Sequence, residues 1–343
     1  MYKINSPVYI ISGASVVGQE EVNGPLGARF DYYDKKDDTF GYDTWEKAES
    51  EMQRLALGLS LSKTGLTEND LNVILAGDLV NQCISSNYGL LDYDVPYLGL
   101  YGACSTCAEG LLTASLILNG SEANGLKRCA AVASSHNATA ERQFRSPLEY
   151  GGQRSPTAQW TVTGAGSFIL STDINDLYFD APAFAPTITS VLPGRSIDAG
   201  INDITNMGGA MAPAAADTLL RFFNSSGNSP SQYDGIFTGD LGYEGSLILR
   251  DIMRASSCNI EGIHSDCGLL IYDRKRQDKH AGGSGCGCSA VVLSSLILER
   301  IRTGIYKKVL FVGTGALMNP MSLQQGMSIP GIAHLVEICA EKR

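Results

Sequence analysis

The sequence predicts an α/β fold made of two related halves. Buried apolar runs of strand length alternate along the chain with segments of helical spacing, which predicts a parallel sheet within that fold. The tetrapeptide SLIL occurs at residues 115–118 and again at 295–298, an offset of 180 positions. VILAGDL at 73–79 is similar to GIFTGDL at 235–241. Because matching segments recur in the same order, we predict a duplicated fold with its ligand site between the halves.

The elements of the first half, residues 1–175, follow from apolar spacing. Continuous apolar runs predict buried strands, and apolar residues three and four positions apart predict helices that bury one face. Thr44 precedes the first long helix and is its predicted N-cap. In chain order we predict strand Val8–Val17, helix Trp45–Lys63, strand Asn72–Leu79, a helix that begins at Cys104, strand Cys129–Ser134 and strand Gly166–Ser171.

The second half, residues 176–343, repeats this plan. Lys307-Lys308 recurs 180 positions after Lys127-Arg128, and each basic pair comes just before or at the start of a buried strand. The predicted elements are strand Thr187–Leu192, helix Ala212–Phe223, strand Gly235–Leu241, a helix around Tyr243–Ser256, a polar loop leading to Gly283–Arg302, strand Lys308–Gly313 and a last strand near Leu335–Cys339.

Cys104 is the central candidate residue. Small residues lead from the apolar run Tyr97–Tyr101 into a helix that begins at this cysteine. Free backbone N–H groups and the positive helix end lower the pKa of a thiol, which favours a nucleophile or an anion-binding residue. The alternative is a small buried cysteine at the start of a core helix. At the repeat offset Cys104 corresponds to Ser284, in the glycine-rich turn 282–290, whose backbone can approach a ligand closely.

Residues 137–160 form a long loop without periodicity that is rich in arginine and aromatic residues. A loop of this length inside a compact domain is typical of a functional lid. Arg145 and Arg154 are candidate partners for a carboxylate, and the alternative for each is a surface ion pair. His136 ends the strand before the loop, where such sheets bind ligands, and its alternative is a buried structural role.

Composition and charge exclude several classes of protein. The chain has 343 residues, of which 44% are hydrophobic, and its formal charge is −10. That charge, without a basic stripe interleaved with aromatic residues, argues against nucleic acid as a partner. Nine cysteines without framework spacing indicate free thiols in a reducing compartment. With no signal-peptide pattern and no apolar segment long enough to span a bilayer, we expect a soluble, cytoplasmic protein.

The motifs at these turns resemble those of the thiolase-like family of condensing enzymes. GACST at 102–106 matches the position of the family's nucleophilic cysteine, GSGCGCS at 283–289 its glycine-rich turn, and LFVGTGA at 310–316 its closing strand. The likeness runs over essentially the whole chain. It implies a five-layer α-β-α-β-α fold of two stacked βαβαβαββ halves.

The same resemblance implies that the catalytic set is incomplete. Condensing enzymes of the synthase type have a His after the strand that corresponds to 235–241 and an Asn at the second glycine turn, and these stabilise the enolate and its oxyanion. This sequence has Asp240 at the first place and Ser284 at the second. Because a carboxylate repels a developing enolate, we expect no condensation and at most acylation of Cys104.

A narrower resemblance is carried by residues 134–166, SSHNATAERQFRSPLEYGGQRSPTAQWTVTGAG, together with GACSTCAEGL at 102–111. Both segments resemble the stage V sporulation protein AD family of spore-forming bacteria. The resemblance implies a dipicolinic acid-binding protein, with or without calcium, that works with membrane proteins of the same operon in dipicolinate uptake into the developing spore. It also implies a homodimer that associates peripherally with the forespore or spore inner membrane.

Dipicolinate is a flat pyridine with two carboxylates, which suits arginine forks, helix N-termini and aromatic or apolar walls. The predicted ligand-binding residues are Cys104, Ser105, His136, Arg145, Arg154, Asp240, Ser284 and Gly285. We predict no metal ligand and no cofactor.

Other interpretations use the same thiols. Cys104 with His136 as its base would make an acyltransferase or a thioesterase. Cys104 and Cys107 form a CxxC pair of redox type, but a thioredoxin-like domain is much shorter and carries no such duplication. With Cys286 and Cys288 they would offer four thiols to zinc, although the second pair has CxC spacing.

Overall fold

The computed structural model describes residues 1–120, 125–144, 154–177 and 183–342. Its longer strands are continuous apolar runs, because a strand in a sheet covered on both sides buries both of its faces. In chain order the strands are β1 Tyr2–Val17, β2 Tyr32–Tyr33, β3 Val73–Gly77, β4 Tyr97–Gly99, β5 Arg128–Ser135, β6 Trp160–Thr161, β7 Gly164–Ser171, β8 Phe184–Leu192, β9 Gly235–Thr238, β10 His264–Asp266, β11 Gly283–Ser284, β12 Lys308–Ala316 and β13 Gly331–Lys342.

The helices alternate with these strands. They are α1 Gln19–Val22, α2 Trp45–Ser62, α3 Ile84–Gly89, α4 Thr106–Leu118, α5 Asn137–Phe144, α6 Met207–Ser226, α7 Gly242–Ala255, α8 Cys267–Leu270, α9 Cys286–Val292, α10 Leu298–Arg302 and α11 Pro320–Gln324. A 3₁₀ turn, Ala103–Ser105, precedes α4, and a π-helical segment, Leu293–Ile297, joins α9 to α10. Thr44 is the N-cap residue of α2, as predicted, although its side chain makes no capping hydrogen bond.

The sheet has the same strand order in both halves. Five strands run β4-β3-β5-β7-β1 in the first half, and five run β10-β9-β12-β13-β8 in the second. When the two-residue strands β2, β6 and β11 are left aside, each half therefore places its third, second, fourth, fifth and first strand side by side. The two first strands, β1 and β8, pair antiparallel and join the halves. This order confirms the predicted duplication, which the sequence repeats indicate locally.

The layers follow from what each helix contacts. Helix α2 packs on β7, β1 and β5, whereas α6 packs on β13 and β12 with α7 against it. Helix α4 touches β3 and β5 of one half and β12 and β13 of the other, so it lies between the two sets of strands. Helices α9 and α10 extend this central layer, since α9 contacts β5 and β7 and α10 contacts β8. The predicted α-β-α-β-α order is confirmed.

Four details differ from the sequence-based expectations. The sheet is mixed: β4, β3 and β5 are parallel, as are β10, β9 and β12, but β5-β7, β7-β1 and β12-β13 are antiparallel. Strand β1 begins at Tyr2 instead of Val8, because its alternately exposed first residues still pair with β8. The short elements β10 and α8 were not predicted, since three or four residues are too few to show a period. The predicted loop 137–160 begins with helix α5, which the sequence did not reveal because only Thr139 and Ala140 of this helix are buried.

The structure bears on two further expectations. All nine cysteines are free thiols, and seven of them are buried. Within the described ranges no helix is both long enough and apolar enough to cross a membrane.

Candidate functional site

Cys104 lies in the 3₁₀ turn before α4, at the floor of a cavity. The preceding residue, Ala103, has a left-handed backbone with φ of +52°. The Ser105 hydroxyl donates back to the carbonyl oxygen of Gly102 at 2.6 Å, so it stabilises the turn. Gly315 of β12 passes so closely that a Cβ there would lie 2.9 Å from the Gly102 oxygen. The second half therefore reaches the turn that carries the thiol.

Asp240 follows β9 and lies beside this thiol with no exposed surface. Its Oδ2 accepts a hydrogen bond from the Gly285 N–H at 2.9 Å, and its Oδ1 accepts one from the Thr314 hydroxyl at 2.8 Å. The Cys104 thiol also hydrogen-bonds to this carboxylate. Three donors from three different elements thus converge on one buried carboxylate.

The surroundings of Cys104 shift the pKa of its thiol in the direction opposite to the prediction. Burial holds the pKa of the thiol well above its ordinary value, and the nearby charge of Asp240 raises it further. A hydrogen bond from the Gly285 backbone lowers the pKa, but its effect is smaller. The expectation that the helix start makes Cys104 an acidic thiol is therefore wrong, because desolvation outweighs the helix end. Burial also raises the pKa of Asp240 to about 6, against the opposing hydrogen bonds.

The glycine-rich turn supplies the opposite side of the floor. Ser284 is 2% exposed and lines the cavity, and its strand, β11, pairs in parallel with β6. Gly285 has φ of +102°, and a Cβ on it would lie 2.5 Å from the Ser135 Oγ. Only glycine fits both this backbone conformation and this spacing. As the repeat predicted, Cys104 and Ser284 face one cavity.

Asp266 is a residue of this region that sequence reasoning missed. Its carboxylate accepts hydrogen bonds from the backbone N–H groups of Leu241 at 2.8 Å and Gly242 at 3.0 Å. The Thr238 hydroxyl also donates to it, at 2.6 Å. Burial raises the pKa of Asp266 to about 7. Asp266 therefore fixes the turn that follows Asp240, but no motif in the short strand β10 indicated it.

The cavity between the halves has a volume of about 390 Å³. Described residues of both halves contribute to its wall. Leu79, Phe144, Met207 and Met318 make much of the wall apolar. The polar side chains that line it are those of Tyr101, Glu141, Thr161, Thr205, Ser284 and Asn319. In the described part of the wall, Glu141 is the charged residue and there is no lysine or arginine.

His136 is held away from this wall by its own contacts. Its Nε2 donates to the Asp38 carbonyl oxygen at 3.1 Å, and its Nδ1 accepts from the Ala138 N–H at 3.1 Å. The ring also packs on Trp45, with the centroids 5.2 Å apart. Both nitrogens are thus engaged, and burial lowers the pKa of the imidazole below its ordinary value. This geometry corresponds to the structural alternative, and it leaves Cys104 without His136 as a base.

Arg154 is likewise committed elsewhere. Its guanidinium donates to the carbonyl oxygen of Asp278 at 2.6 Å and to its carboxylate at 2.5 Å, and it lies over the ring of Trp160. Arg154, which was predicted to bind a ligand carboxylate, is therefore paired with Asp278 in this structure. Arg145, the other predicted partner, lies outside the described residues. It follows Phe144, which lines the cavity.

The remaining thiols are embedded in the core. Cys286 donates to the carbonyl oxygen of Ser134 at 2.8 Å, and Cys107 is buried against Ser289. Burial raises the pKa of Cys107 to about 12 and holds that of Cys288 well above its ordinary value. Among the residues that the structure describes, no three His, Cys, Asp or Glu side chains converge in a way that could hold a metal ion. The zinc and redox interpretations gain no support from this packing.

Two comparisons of sequence agree with each other. The sequence model of the family described as "Stage V sporulation protein AD (SpoVAD)" matches residues 1–339. "Stage V sporulation protein AD" of Bacillus subtilis (strain 168) is 44% identical over 329 residues, which cover 96% of this chain and 93% of that protein. Both matches extend over both halves and include the turns that carry Cys104 and Asp240.

Solved structures share the fold at low sequence identity. OleA of Xanthomonas campestris, co-crystallised with cerulenin, has a TM-score of 0.61 at 14% identity, with 97% of this chain and 96% of that chain covered. A variant of OleA with bound lauric acid and lauroyl-CoA has a TM-score of 0.59 at 12% identity, covering 97% of this chain and 99% of that one. The likeness confirms the thiolase-like fold and carries no statement about activity.

Proposed function

This chain belongs to the stage V sporulation protein AD family, and on that premise we propose that it is a non-catalytic sporulation protein whose cavity binds dipicolinic acid. In this role it takes part in dipicolinate uptake into the developing spore, together with membrane proteins of the same operon. Its place is peripheral, at the forespore or spore inner membrane.

The observation that carries the non-catalytic assignment is the carboxylate of Asp240. Acyl transfer needs donors aimed at the oxygen on which negative charge develops. Here the Gly285 N–H and the Thr314 hydroxyl donate to Asp240 at 2.9 and 2.8 Å, and the Cys104 thiol bonds to it as well. The protein's own carboxylate thus takes up the donors that an oxyanion would require, and it keeps the nucleophile protonated.

The form of the cavity supports a small planar ligand. Its volume of about 390 Å³ lies within the range of small-molecule sites. Leu79, Phe144 and Met318 offer flat apolar contact to an aromatic ring, and the hydroxyls of Thr161 and Ser284 offer donors to a carboxylate. We assign the cationic partner of the ligand to Arg145, which follows Phe144 in the chain.

The proposed homodimer has support from a surface at the end of the sheet. Strand β4 ends the strand order of the first half. Four large hydrophobic side chains close to it in sequence are exposed and do not line the cavity: Ile84, Tyr88, Leu91 and Leu98. A free strand edge flanked by apolar side chains is a template for pairing with another strand. We assign this edge to contact with a second copy of the chain.

Calorimetric titration with dipicolinate, with and without calcium, tests the proposed function. We expect saturable binding that weakens in Cys104→Ala, and that weakens about tenfold in Arg145→Ala through loss of a charge-assisted hydrogen bond. Arg154→Ala is the matched control, because that arginine is bound by Asp278 and should leave the affinity unchanged. Absence of any binding heat, with or without calcium, would contradict the proposal.

The acyltransferase alternative keeps one favourable observation. Cys104 lines the cavity, so a ligand in the cavity lies next to the residue that corresponds to the family's nucleophile. Incubation with acyl-CoA followed by mass spectrometry decides between the two functions. A stable acyl group on Cys104 favours the enzyme, whereas no adduct together with dipicolinate binding favours the carrier.

A further inference from the structure

A buried carboxylate lies under the floor of the cavity that we assign to a dianion. It belongs to Asp240, which lies beside the thiol of Cys104, and Cys104 lines the cavity. Lysine and arginine are absent from the described wall. A ligand carboxylate that settles on the floor therefore approaches the Asp240 carboxylate, with the Cys104 side chain between them. Two like charges in a buried site raise each other's pKa.

The groups that face Asp240 come from every element packed around it. They are the thiols of Cys104, Cys267, Cys286 and Cys288, the carboxyl of Asp266, the N–H of Gly285 and the hydroxyl of Thr314. None of these groups carries positive charge. Asp240 also makes no ion pair with any described residue. The geometry thus gives it hydrogen bonds but no counter-charge.

We propose that the cavity takes up its acid ligand together with one proton, and that Asp240 carries this proton. The inference rests on the proposed binding function and adds its charge balance. No bond of the ligand is made or broken: a proton leaves the buffer and binds a carboxylate oxygen. Oδ1 is the oxygen that suits it. The Thr314 hydroxyl can turn from donor to acceptor, whereas the Gly285 N–H at Oδ2 cannot.

The direction of the pH dependence follows. In the free protein the pKa of Asp240 is about 6, so the carboxylate is mostly ionised at neutral pH. A bound anion raises that pKa further, and between the two values binding takes up protons. Affinity therefore falls as pH rises above about 6, by at most tenfold per pH unit for one proton.

Titration calorimetry with dipicolinate measures this uptake directly. The wild type is titrated from about pH 6 to about pH 8.5, where ordinary carboxylic acids are ionised, in buffers of different ionisation enthalpy. We expect uptake approaching one proton per ligand, together with the fall in affinity. Asp240→Asn should lose both the uptake and the pH dependence. Asp78→Asn is the matched control: it removes the equivalent buried carboxylate of the other half, which faces Glu49, and should keep both.

The outcomes separate this inference from the binding function. Saturable binding whose heat does not depend on the buffer, with an affinity that is constant over the pH range, overturns proton uptake and leaves the carrier role standing. Absence of saturable binding at every pH overturns both. Proton uptake that persists in folded Asp240→Asn assigns the proton to another group and contradicts the role of Asp240. If that variant does not fold, the wild-type buffer comparison still tests the uptake.

Discussion

The same Gly-Asp-Leu sequence stands at the carboxyl end of β3 in the first half and directly after β9 in the second, and the two halves use the aspartates differently. Asp78 is bound within its own neighbourhood: its carboxylate accepts from the Val80 N–H at 2.8 Å and from the Ser86 N–H and hydroxyl at 2.8 and 2.7 Å. Asp240 instead bonds to Gly285 and Thr314, far away in sequence, and to Cys104 of the other half. One aspartate closes a local turn, and the other joins three elements at the cavity floor.

The neighbours of the two aspartates differ as well. Asp78 faces the fully buried carboxyl of Glu49, which accepts from the hydroxyls of Ser134 and Thr139. Asp240 faces a thiol that lines the cavity. Both halves therefore have a buried carboxylate, but of these two it is Asp240 that lies beside a thiol lining the cavity. The following changes test this distinction, from the largest expected effect to the smallest.

Gly285→Ala should have the largest effect, because the second turn tolerates no side chain. The new Cβ would lie 2.5 Å from the Ser135 Oγ, and the φ of +102° is strained for alanine. We expect a loss of about 3 kcal/mol in the free energy of unfolding, measured by urea denaturation. Gly200→Ala is the control, with φ of +73° but open space around the Cβ, and should lose about 1 kcal/mol. Equal losses in the two variants would show that the contact with Ser135 is unimportant.

Asp240→Asn should make Cys104 more reactive. Removing the facing charge lowers the pKa of the thiol, and each unit of that shift raises the thiolate fraction about tenfold at a fixed pH. We expect alkylation of Cys104 by iodoacetamide at least about tenfold faster than in the wild type. Peptide mass spectrometry separates Cys104 from Cys107.

Asp78→Asn is the matched control for this measurement, since it removes a buried carboxylate that does not face Cys104. Its alkylation rate should equal that of the wild type. If both variants accelerate alkylation equally, then local loosening and not the charge of Asp240 controls the thiol, and the contrast between the aspartates is lost.

How much of this site the sequence could predict depends on how far apart the interacting residues lie. The repeat offset correctly aligned Cys104 with Ser284, because equivalent turns of duplicated halves face each other. The roles of His136 and Arg154 are set by Asp38 and Asp278, which lie 98 and 124 positions away, and nothing in the local sequence reveals such partners. The acidity of Cys104 was mispredicted for the same reason. The helix start is visible in sequence, whereas burial and the charge of Asp240 are not.

Glu49→Gln tests the carboxylate pair of the first half. Burial raises the pKa of Glu49 from 4.5 to about 8, and Asp78 adds to the shift. Below pH 4.5 protonated Glu49 makes its full contribution to the free energy of unfolding. This contribution is lost as the pH rises through about 8. Over that window one proton changes the free energy of unfolding by at most about 1.4 kcal/mol per pH unit.

In the wild type the free energy of unfolding declines between pH 5 and pH 8, and we expect this decline to be less steep in Glu49→Gln, by up to the slope given above. Glutamine keeps the shape of the protonated acid but does not titrate. Urea denaturation at several pH values measures the decline. Asp266 and Asp240 contribute declines of the same sign, since their pKa values are raised to about 7 and about 6, and these should remain in the variant. An unchanged slope in Glu49→Gln would place the titrating proton elsewhere.

Ala103→Gly should have the smallest effect, and it tests the first turn as Gly285→Ala tests the second. Ala103 has φ of +52°, which costs an alanine about 1–2 kcal/mol, whereas glycine loses about 0.4–1 kcal/mol more through the entropy of the unfolded chain. The balance predicts a gain of about 0.5 kcal/mol in the free energy of unfolding. Ser257→Gly is the control, since Ser257 has φ of +57° and lies on the surface after α7. A gain in both variants means that the first turn stores ordinary backbone strain. A loss in Ala103→Gly alone means that the methyl group at the cavity wall contributes more through its contacts than the strain costs, and the two turns then depend on side-chain packing in opposite ways.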